Sequence, residues 1–362
     1  MLKIYLADLA NDFVGIDNKS IPIGIGYVGA YCKQRFKDDV SVLPFRTPKP
    51  LIEKIRNDPP DVVGFSSYDW NYNLTLNAAK LIKNECPKCM IVLGGANVAV
   101  SPESNRELLC SNSFIDFLVY GDGERPFSNL VHLLIQYQGN KDPISMIKLL
   151  SIDGVRSING DVIQMGQAVD FVMDLSLLPS PFLTGFLDDL LQNQLLMPII
   201  QNVRGCPYQC CFCVSGNQSD KLRQFPLERV TQEIDYIRGK SLNRILRFSD
   251  DNFGIMEGDL YVAEYIRKSY ETHKYPSGIK VYLSKTMNER TRDISNILKK
   301  LTIMNISFQS ATPSVLKNSK RINLSLEEVS KSMVFARKNG IATGTELIFG
   351  LPGESIESMQ ET

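Results

Sequence analysis

The sequence predicts an α/β protein: a parallel-sheet domain followed by a second strand–helix series in a barrel-type pattern. Short, continuously apolar runs recur through the first 140 residues, each followed by a stretch of helical period. The same alternation restarts near Leu196. Small turn residues gather where the strands of the first series end. A chain of 362 residues, at ~150 residues per domain, leaves room for two such domains.

In the first series, residues 3–7 (KIYLA), 40–44, 62–66 (VVGFS), 90–93 (MIVL) and 115–120 (IDFLVY) read as strands. A loop with Pro22, Gly24, Gly26 and Gly29 follows the first of them. Helices are expected at 27–36, at 51–57 (stopped by Pro59 and Pro60), at 74–85 and at 126–138. Strands apolar on both faces belong to a parallel sheet covered by helices on both sides. Such a sheet binds ligands outside the C-terminal ends of its strands. The residues expected there are Ser66 and Ser67, Gly94 and Gly95, and Gly121, Asp122, Gly123 and Glu124. Glycine lets a ligand approach the backbone closely, although each pair taken alone is also compatible with a plain tight turn.

Asn159-Gly160-Asp161, between 155–158 and 162–165, predicts a hairpin. Residues 174–194 read as a linker with a short helix. The expected division is therefore 1–140 for the sheet domain, 141–195 for hairpin and linker, and 196–362 for the second series. There, strands are expected at 198–202, 244–249, 280–283, 303–309 and 342–349, and helices at 227–238, 258–271, 289–301 and 326–339. Residues 355–362 only open another helix, so the sequence predicts a fragment whose barrel stops after its fifth strand.

Lys plus Arg number 40 and Asp plus Glu number 40, and zero net charge speaks against a generally basic nucleic-acid-binding surface. No apolar run approaches the ~20 residues of a membrane span. The start, MLKIYLADLANDF, lacks the apolar core of a signal peptide, and the expected compartment is the cytoplasm.

In a reducing compartment, clustered cysteines more often bind metal or do chemistry than form disulfides. Four of the eight cysteines lie within 206–213, and His132 and His273 are the only histidines. The segment 204–214 reads R-G-C-P-Y-Q-C-C-F-C-V. Cys206, Cys210 and Cys213 have the spacing C-x3-C-x2-C, which lets each thiolate bind one iron of a cuboidal [4Fe-4S] cluster. The fourth iron is then open to a substrate or cofactor. Gly205 and Pro207 suit a loop wrapped tightly round a cluster, at the mouth where barrel enzymes do chemistry. A zinc site would want a fourth Cys or His at suitable spacing, which neither Cys211 nor His273 supplies. Cys86 and Cys89 form a C-x2-C pair expected on the edge opposite the ligand edge, while Cys32 and Cys110 read as packing residues. The run 317–321 (KNSKR) reads as a solvated loop rather than a phosphate patch.

The segment 204–214 resembles the signature of the radical S-adenosylmethionine (SAM) superfamily, with Phe212 in the aromatic place before the last cysteine. The resemblance implies further contacts. Ser249-Asp250-Asp251-Asn252 falls where relatives bind the SAM amino group, and Gln309-Ser310 where they contact its ribose or carboxylate. Phe349-Gly350-Leu351-Pro352-Gly353-Glu354 resembles the adenine-side turn. Many relatives have Gly-Gly-Glu where this chain has Ser-Asp-Asp, so either Asp250 or Asp251 could face SAM.

A flavodoxin-like domain directly before such a (β/α)6-type barrel resembles the cobalamin-binding radical SAM enzymes. The implied cofactors are a [4Fe-4S] cluster, S-adenosyl-L-methionine and cobalamin. The Asp-x-His-x-x-Gly motif of cobalamin mutases is absent and no histidine precedes His132, so cobalamin would bind base-off without a histidine. The loop 66–71 (SSYDWN) would then lie beneath the corrin, with Tyr68 or Trp70, the only tryptophan, under cobalt. An ordinary packed aromatic is the plain alternative for Trp70.

The chemistry so implied starts with an electron from an external reductant such as flavodoxin or ferredoxin. SAM is cleaved to a 5′-deoxyadenosyl radical, which takes hydrogen from an unactivated carbon of a small-molecule or peptide substrate. Methylcobalamin then supplies the methyl group and a second SAM restores it, with the protein positioning the reactants. Three alternatives stay open: a cobalamin-dependent radical SAM ring contraction or other non-methylating step, a radical SAM methylthiotransferase without cobalamin, and a cobalamin-binding module with an inactive barrel. The methylthiotransferase should carry three N-terminal cysteines for a second cluster, a pattern that Cys32, Cys86, Cys89 and Cys110 do not obviously match.

Overall fold

The apolar runs at the start of the chain pair side by side. In the computed structural model, which describes residues 1–11, 19–98, 101–169, 171–215, 221–322 and 324–362, they form five parallel strands. These are β1 (Leu2–Ala7), β2 (Val40–Phe45), β3 (Val62–Ser66), β4 (Met90–Gly94) and β5 (Phe117–Val119), in the order β2-β1-β3-β4-β5. The connecting helices are α1 (Ile23–Phe36), α2 (Pro48–Asn57), α3 (Tyr72–Glu85), α4 (Pro102–Ser111) and α5 (Glu124–Tyr137). Alternate strand residues enter separate layers. Tyr5, Ala7, Val63, Phe65, Ile91 and Leu93 pack with Leu51 and Ile55 of α2 and with Ala79 and Ile82 of α3. Their neighbours Ile4, Leu6, Val62 and Val92 are also buried, so both faces are covered and the runs are continuously apolar. The order reverses between β1 and β3, which makes their C-terminal ends the crevice for a ligand.

After the short α6 (Pro143–Ile147), the predicted hairpin forms as β6 (Val155–Asn159) and β7 (Val162–Met165) and extends this sheet antiparallel from β5. The chain divides into two compact units, Met1–Met173 with Leu177–Leu190, and Asp174–Ser176 with Leu191–Thr362.

Helices α1 and α4 depart from expectation for different reasons. α1 begins at Ile23, inside the predicted glycine-rich loop. Its glycines serve close packing: a Cβ on Gly29 would lie 2.2 Å from the Phe186 ring, and one on Gly26 would lie 2.9 Å from Leu187. Residues 12–18 of that loop lie outside the described residues. α4 was not expected, because it buries only Asn105 and Leu109 and so carries little apolar period.

In the second unit α7 (Asp188–Leu191) precedes β8 (Ile199–Ile200). β9 (Val203–Arg204) pairs antiparallel with β10 (Arg223–Gln224). Then follow α8 (Leu227–Lys240), β11 (Ile245–Phe248), α9 (Gly258–His273), β12 (Gly278–Lys280), α10 (Glu289–Ile297), β13 (Met304–Gln309), α11 (Pro313–Asn318), α12 (Leu326–Asn339), β14 (Thr343–Leu347) and α13 (Ile356–Glu361). β12, β11 and β8 form one parallel ladder, and β13 and β14 another. The strand expected at 280–283 forms earlier, at Gly278–Lys280. Beyond it the chain bends away from β11 and makes a single parallel bridge, Leu283 to Phe253. Among the described residues no helix is long and apolar enough to cross a membrane.

Candidate functional site

The cysteine loop leaves β9 through Gly205, whose φ of +96° is costly for any residue with a Cβ. Cys206 and Cys210 are buried, Cys213 is half-buried and Cys211 is exposed. The Cys213 N–H donates to the Cys210 carbonyl (3.0 Å), which turns the loop between two of the predicted ligands. The Cys211 N–H donates to the Ser319 carbonyl (3.1 Å), just after α11. Within the basic run 317–321, Lys317, Asn318 and Lys320 are exposed, whereas Ser319, which holds the cysteine loop, and Arg321 are buried. Phe212 is half-exposed.

The loop after β11 settles next to it. Both Asp250 oxygens accept backbone N–H groups at the base of the cysteine loop, from Asn202 (2.8 Å) and Val203 (3.0 Å). Burial raises the Asp250 carboxyl well above its ordinary value against these donors, with the Asp259 and Asp251 carboxylates adding to the rise. Asp251 points elsewhere: its Oδ1 accepts from Ser215 Oγ (3.1 Å), burial raises its carboxyl, and Lys285 opposes that rise. Asn252 is buried and its Nδ2 donates to the Cys206 sulfur at 3.2 Å. Asp259, at the start of α9, accepts from Asn202 Nδ2 (2.6 Å), Gly254 N–H (2.6 Å) and Met256 N–H (3.0 Å). Burial outweighs these donors and raises its carboxyl to about 6.

At the end of β13, Gln309 is buried with a φ of +62°, an uncommon conformation for a residue with a side chain. Its carbonyl accepts the Ile348 N–H (3.1 Å), and its Oε1 has no hydrogen-bond partner among the described residues. Ser310 is buried and its Oγ accepts the Thr312 N–H (3.2 Å). Glu354 folds back onto its own turn, accepting the Gly350 and Leu351 N–H groups at 2.7 and 3.3 Å. Its carboxylate therefore fixes the turn's shape.

In the first unit the predicted residues gather on one sheet edge, since β3, β4 and β5 are parallel. Ser67 is fully buried; its N–H donates to the Gly94 carbonyl (2.8 Å) and its Oγ accepts from Asn97 (3.3 Å). Gly95, at φ +92°, lies so close that a Cβ would be 2.6 Å from the Ser67 nitrogen. These two residues join loop to loop, while Ser66 is half-buried. Tyr68 and Trp70 stack with centroids 4.5 Å apart and planes 7° off parallel, and Trp70 is 60% exposed. At the end of β5, a side chain at Gly121 would meet nothing within 4 Å, Gly123 precedes α5, and Glu124 is buried in its first turn.

A buried polar group beneath this aromatic pair was not anticipated. Arg46 Nη1, after β2, donates to the Asp8 carbonyl (2.6 Å) and to Asp8 Oδ1 (2.7 Å), after β1. Asn71 Nδ2 donates to Asp8 Oδ1 (3.3 Å) and to the Ser66 carbonyl (3.1 Å), while its Oδ1 accepts the Tyr68 N–H (2.8 Å). Burial raises the Asp8 carboxyl, with Arg46 and Asn71 opposing, and burial also raises the Tyr68 hydroxyl. The available signal was a charged residue directly after each of two apolar runs, KIYLA-D and VSVLPF-R. Cys86 and Cys89 show no activation, because burial raises both thiols.

The donor set of the second unit suits an iron–sulfur cluster. Three thiols lie on one loop, two of them withdrawn from water, and a buried amide donates to one sulfur. Among the described residues no three His, Cys, Asp or Glu side chains converge on one ion position, and a cluster with one iron per thiolate needs separated sulfurs instead. The buried Gln309 Oε1 is an acceptor to which no described residue donates.

Fold and site together define a two-part protein, a doubly wound sheet with an aromatic ligand edge and a strand–helix unit with a three-cysteine loop. Residues 14–131 match the B12 binding domain family and residues 201–362 the Radical SAM superfamily. The chain therefore carries a B12 binding domain followed by a Radical SAM domain, and is homologous to the cobalamin-dependent radical SAM methyltransferases. It is 28% identical over 364 residues to the cobalamin-dependent radical SAM methyltransferase TokK of Streptomyces tokunonensis, covering 96% of this chain and 52% of TokK. It is 30% identical over 311 residues to the 2-(S-pantetheinyl)-carbapenam-3-carboxylate methyltransferase of Streptantibioticus cattleyicolor, covering 83% of this chain and 44% of that enzyme. The chain thus spans about half the length of these relatives. The structure of the radical SAM methyltransferase TsrM from Kitasatospora setae, with cobalamin and [4Fe-4S] cluster bound, superposes with a TM-score of 0.71 at 17% identity, over 99% of this chain and 69% of TsrM. That likeness establishes the shared fold.

Proposed function

We propose that the protein is a cobalamin-dependent radical SAM methyltransferase acting on an unactivated carbon. The observation that carries this reading is the three-thiol loop 206–213, two of its thiols buried, in a chain that also holds a B12 binding domain. When bound, the cluster and SAM supply a hydrogen-abstracting radical and cobalamin supplies the methyl group. Cys206, Cys210 and Cys213 hold the cluster, with Phe212 beside it. Asp250 is committed to the loop's own N–H groups, so Asp251 is the carboxylate left to meet the SAM amino group. Gln309 offers its unpartnered Oε1 to SAM, Ser310 fixes the turn that follows, and Glu354 shapes the turn whose Gly350 backbone borders the adenine.

In this reading Trp70, supported by Tyr68 and by the Asp8–Arg46–Asn71 group, lies under cobalamin, which binds without a histidine. Ser66, Gly94 with Gly95, and Gly121 with Gly123 and Glu124 border the corrin, and Ser67 holds the first two loops together. The functional boundaries are 1–140 for cobalamin, 141–195 for the hairpin and linker, and 196–362 for the cluster and SAM. The substrate is a small molecule or peptide, the electron comes from a one-electron donor such as flavodoxin or ferredoxin, and the reaction runs in the cytoplasm.

The test is product analysis after anaerobic incubation with SAM, a strong reductant and methylcobalamin. A methyltransferase that consumes two SAM molecules per turnover releases 5′-deoxyadenosine and S-adenosylhomocysteine together. With candidate substrates present, a substrate consumed alongside 5′-deoxyadenosine but gaining no methyl group would make the enzyme non-methylating.

A further inference from the structure

The contact between Asn252 and Cys206 has a consequence for electron uptake. The geometry points to Asn252 as a positioning residue that tunes the cluster's reduction potential through an N–H···S hydrogen bond to the Cys206 thiolate. The inference rests on the radical SAM reading of the cysteine loop and adds to it a residue outside the three ligands.

Asn252 is fixed from several sides. Its own carbonyl accepts the Ile255 N–H (3.0 Å). The next residue, Phe253, donates its N–H to the Tyr282 carbonyl and accepts the Ser284 N–H, each at 2.8 Å. The residues just before and after are held through Asp250 on Asn202 and Val203, and through Gly254 on Asp259. The amide is therefore preorganised, with Nδ2 3.2 Å from the sulfur and both groups buried. Its Oδ1 has no hydrogen-bond partner among the described residues, so the Cys206 sulfur is the contact that accounts for the side chain's orientation.

The electron balance is simple. One electron from an external one-electron reductant converts the oxidised cluster with its three thiolates, net charge one minus, into the reduced form, net charge two minus. A donor aimed at a ligating sulfur stabilises the more negative form more strongly, and a dry site sharpens the difference. Asn252 therefore raises the potential and makes the cluster easier to reduce.

The experiment is an EPR-monitored redox titration of the anaerobically reconstituted full chain without SAM, comparing wild type with Asn252→Leu and Asn252→Asp. Leucine keeps the branching at Cγ and removes the donor, so at a fixed solution potential the ratio of reduced to oxidised cluster falls roughly tenfold, about 59 mV for a one-electron couple. Aspartate adds a negative charge and lowers the ratio further. Unchanged midpoints in the variants, or a lower iron content whose loaded fraction titrates as wild type, would reduce Asn252 to a structural role and overturn the assignment. Pulsed EPR of the reduced wild-type cluster labelled with ¹⁵N-asparagine needs no variant: a resolved ¹⁵N coupling supports the hydrogen bond, and its absence refutes it. A wild-type chain that takes up no cluster overturns the function itself, and this assignment with it.

Discussion

Replacing Asp250 with asparagine separates the two adjacent acids of the loop after β11. Both Asp250 oxygens accept backbone N–H groups, and asparagine keeps only one acceptor. The Val203 N–H, now 3.0 Å from Oδ2, would face an amide NH₂ in a buried site. Leaving a buried donor without its acceptor costs ~1–3 kcal/mol, so the second unit should lose about 2 kcal/mol. For a domain of this size that is a fall of about 4–8 °C in melting temperature. The half-exposed Asp251 has one hydroxyl contact, and its asparagine variant should lose less than about 1 kcal/mol while weakening SAM binding about tenfold. The assay is thermal unfolding of the cofactor-free chain by circular dichroism, with fluorescence of the only tryptophan, Trp70, reporting the first unit as an internal control. Equal falls for both variants, or a larger fall for Asp251→Asn, would refute the division of roles.

Further outcomes follow from other contacts. Burial raises Asp259 to about 6, so the folded state binds its proton more tightly than the unfolded chain does. The stabilisation is full below the unfolded value near 4 and is lost as pH rises through about 6. Against Asp259→Asn, wild type should therefore lose about 2 kcal/mol between pH 4 and 7 in urea unfolding, and a gain over that window would contradict it. Gly95→Ala places a Cβ 2.6 Å from the Ser67 nitrogen at φ +92°, and should cost the first unit about 3 kcal/mol, read from Trp70 fluorescence. Trp70→Ala should leave the fold intact, because the side chain is exposed, yet lower cobalamin affinity about fivefold in a binding titration.

The sheet was legible because strands buried on both faces are continuously apolar, as VVGFS and MIVL are. α4 was hidden for the converse reason: two buried residues in ten leave no stripe to read. At α1, Gly26 and Gly29 read as loop formers, whereas they serve the close approach of Phe186 and Leu187, a partner more than 150 positions away in sequence. The cysteine loop was legible through spacing alone. The difference between Asp250 and Asp251 was not, since it depends on which carboxylate faces the Asn202 and Val203 N–H groups. Asp8, Arg46, Asn71, Asn202 and Asp259 went unread for the same reason. Buried polar groups have no period of their own, and topology, rather than local pattern, selects their partners.

An iron–sulfur cluster and cobalamin held together on one chain are the core of the proposed function. Iron and cobalt analysis of the chain, reconstituted under anaerobic conditions and freed of unbound cofactor, tests it most directly. About four irons and one cobalt per chain are expected, with the iron lost when Cys206, Cys210 and Cys213 are replaced by alanine and the cobalt retained. Iron that survives the triple replacement, or a wild-type chain without cobalt, would contradict it.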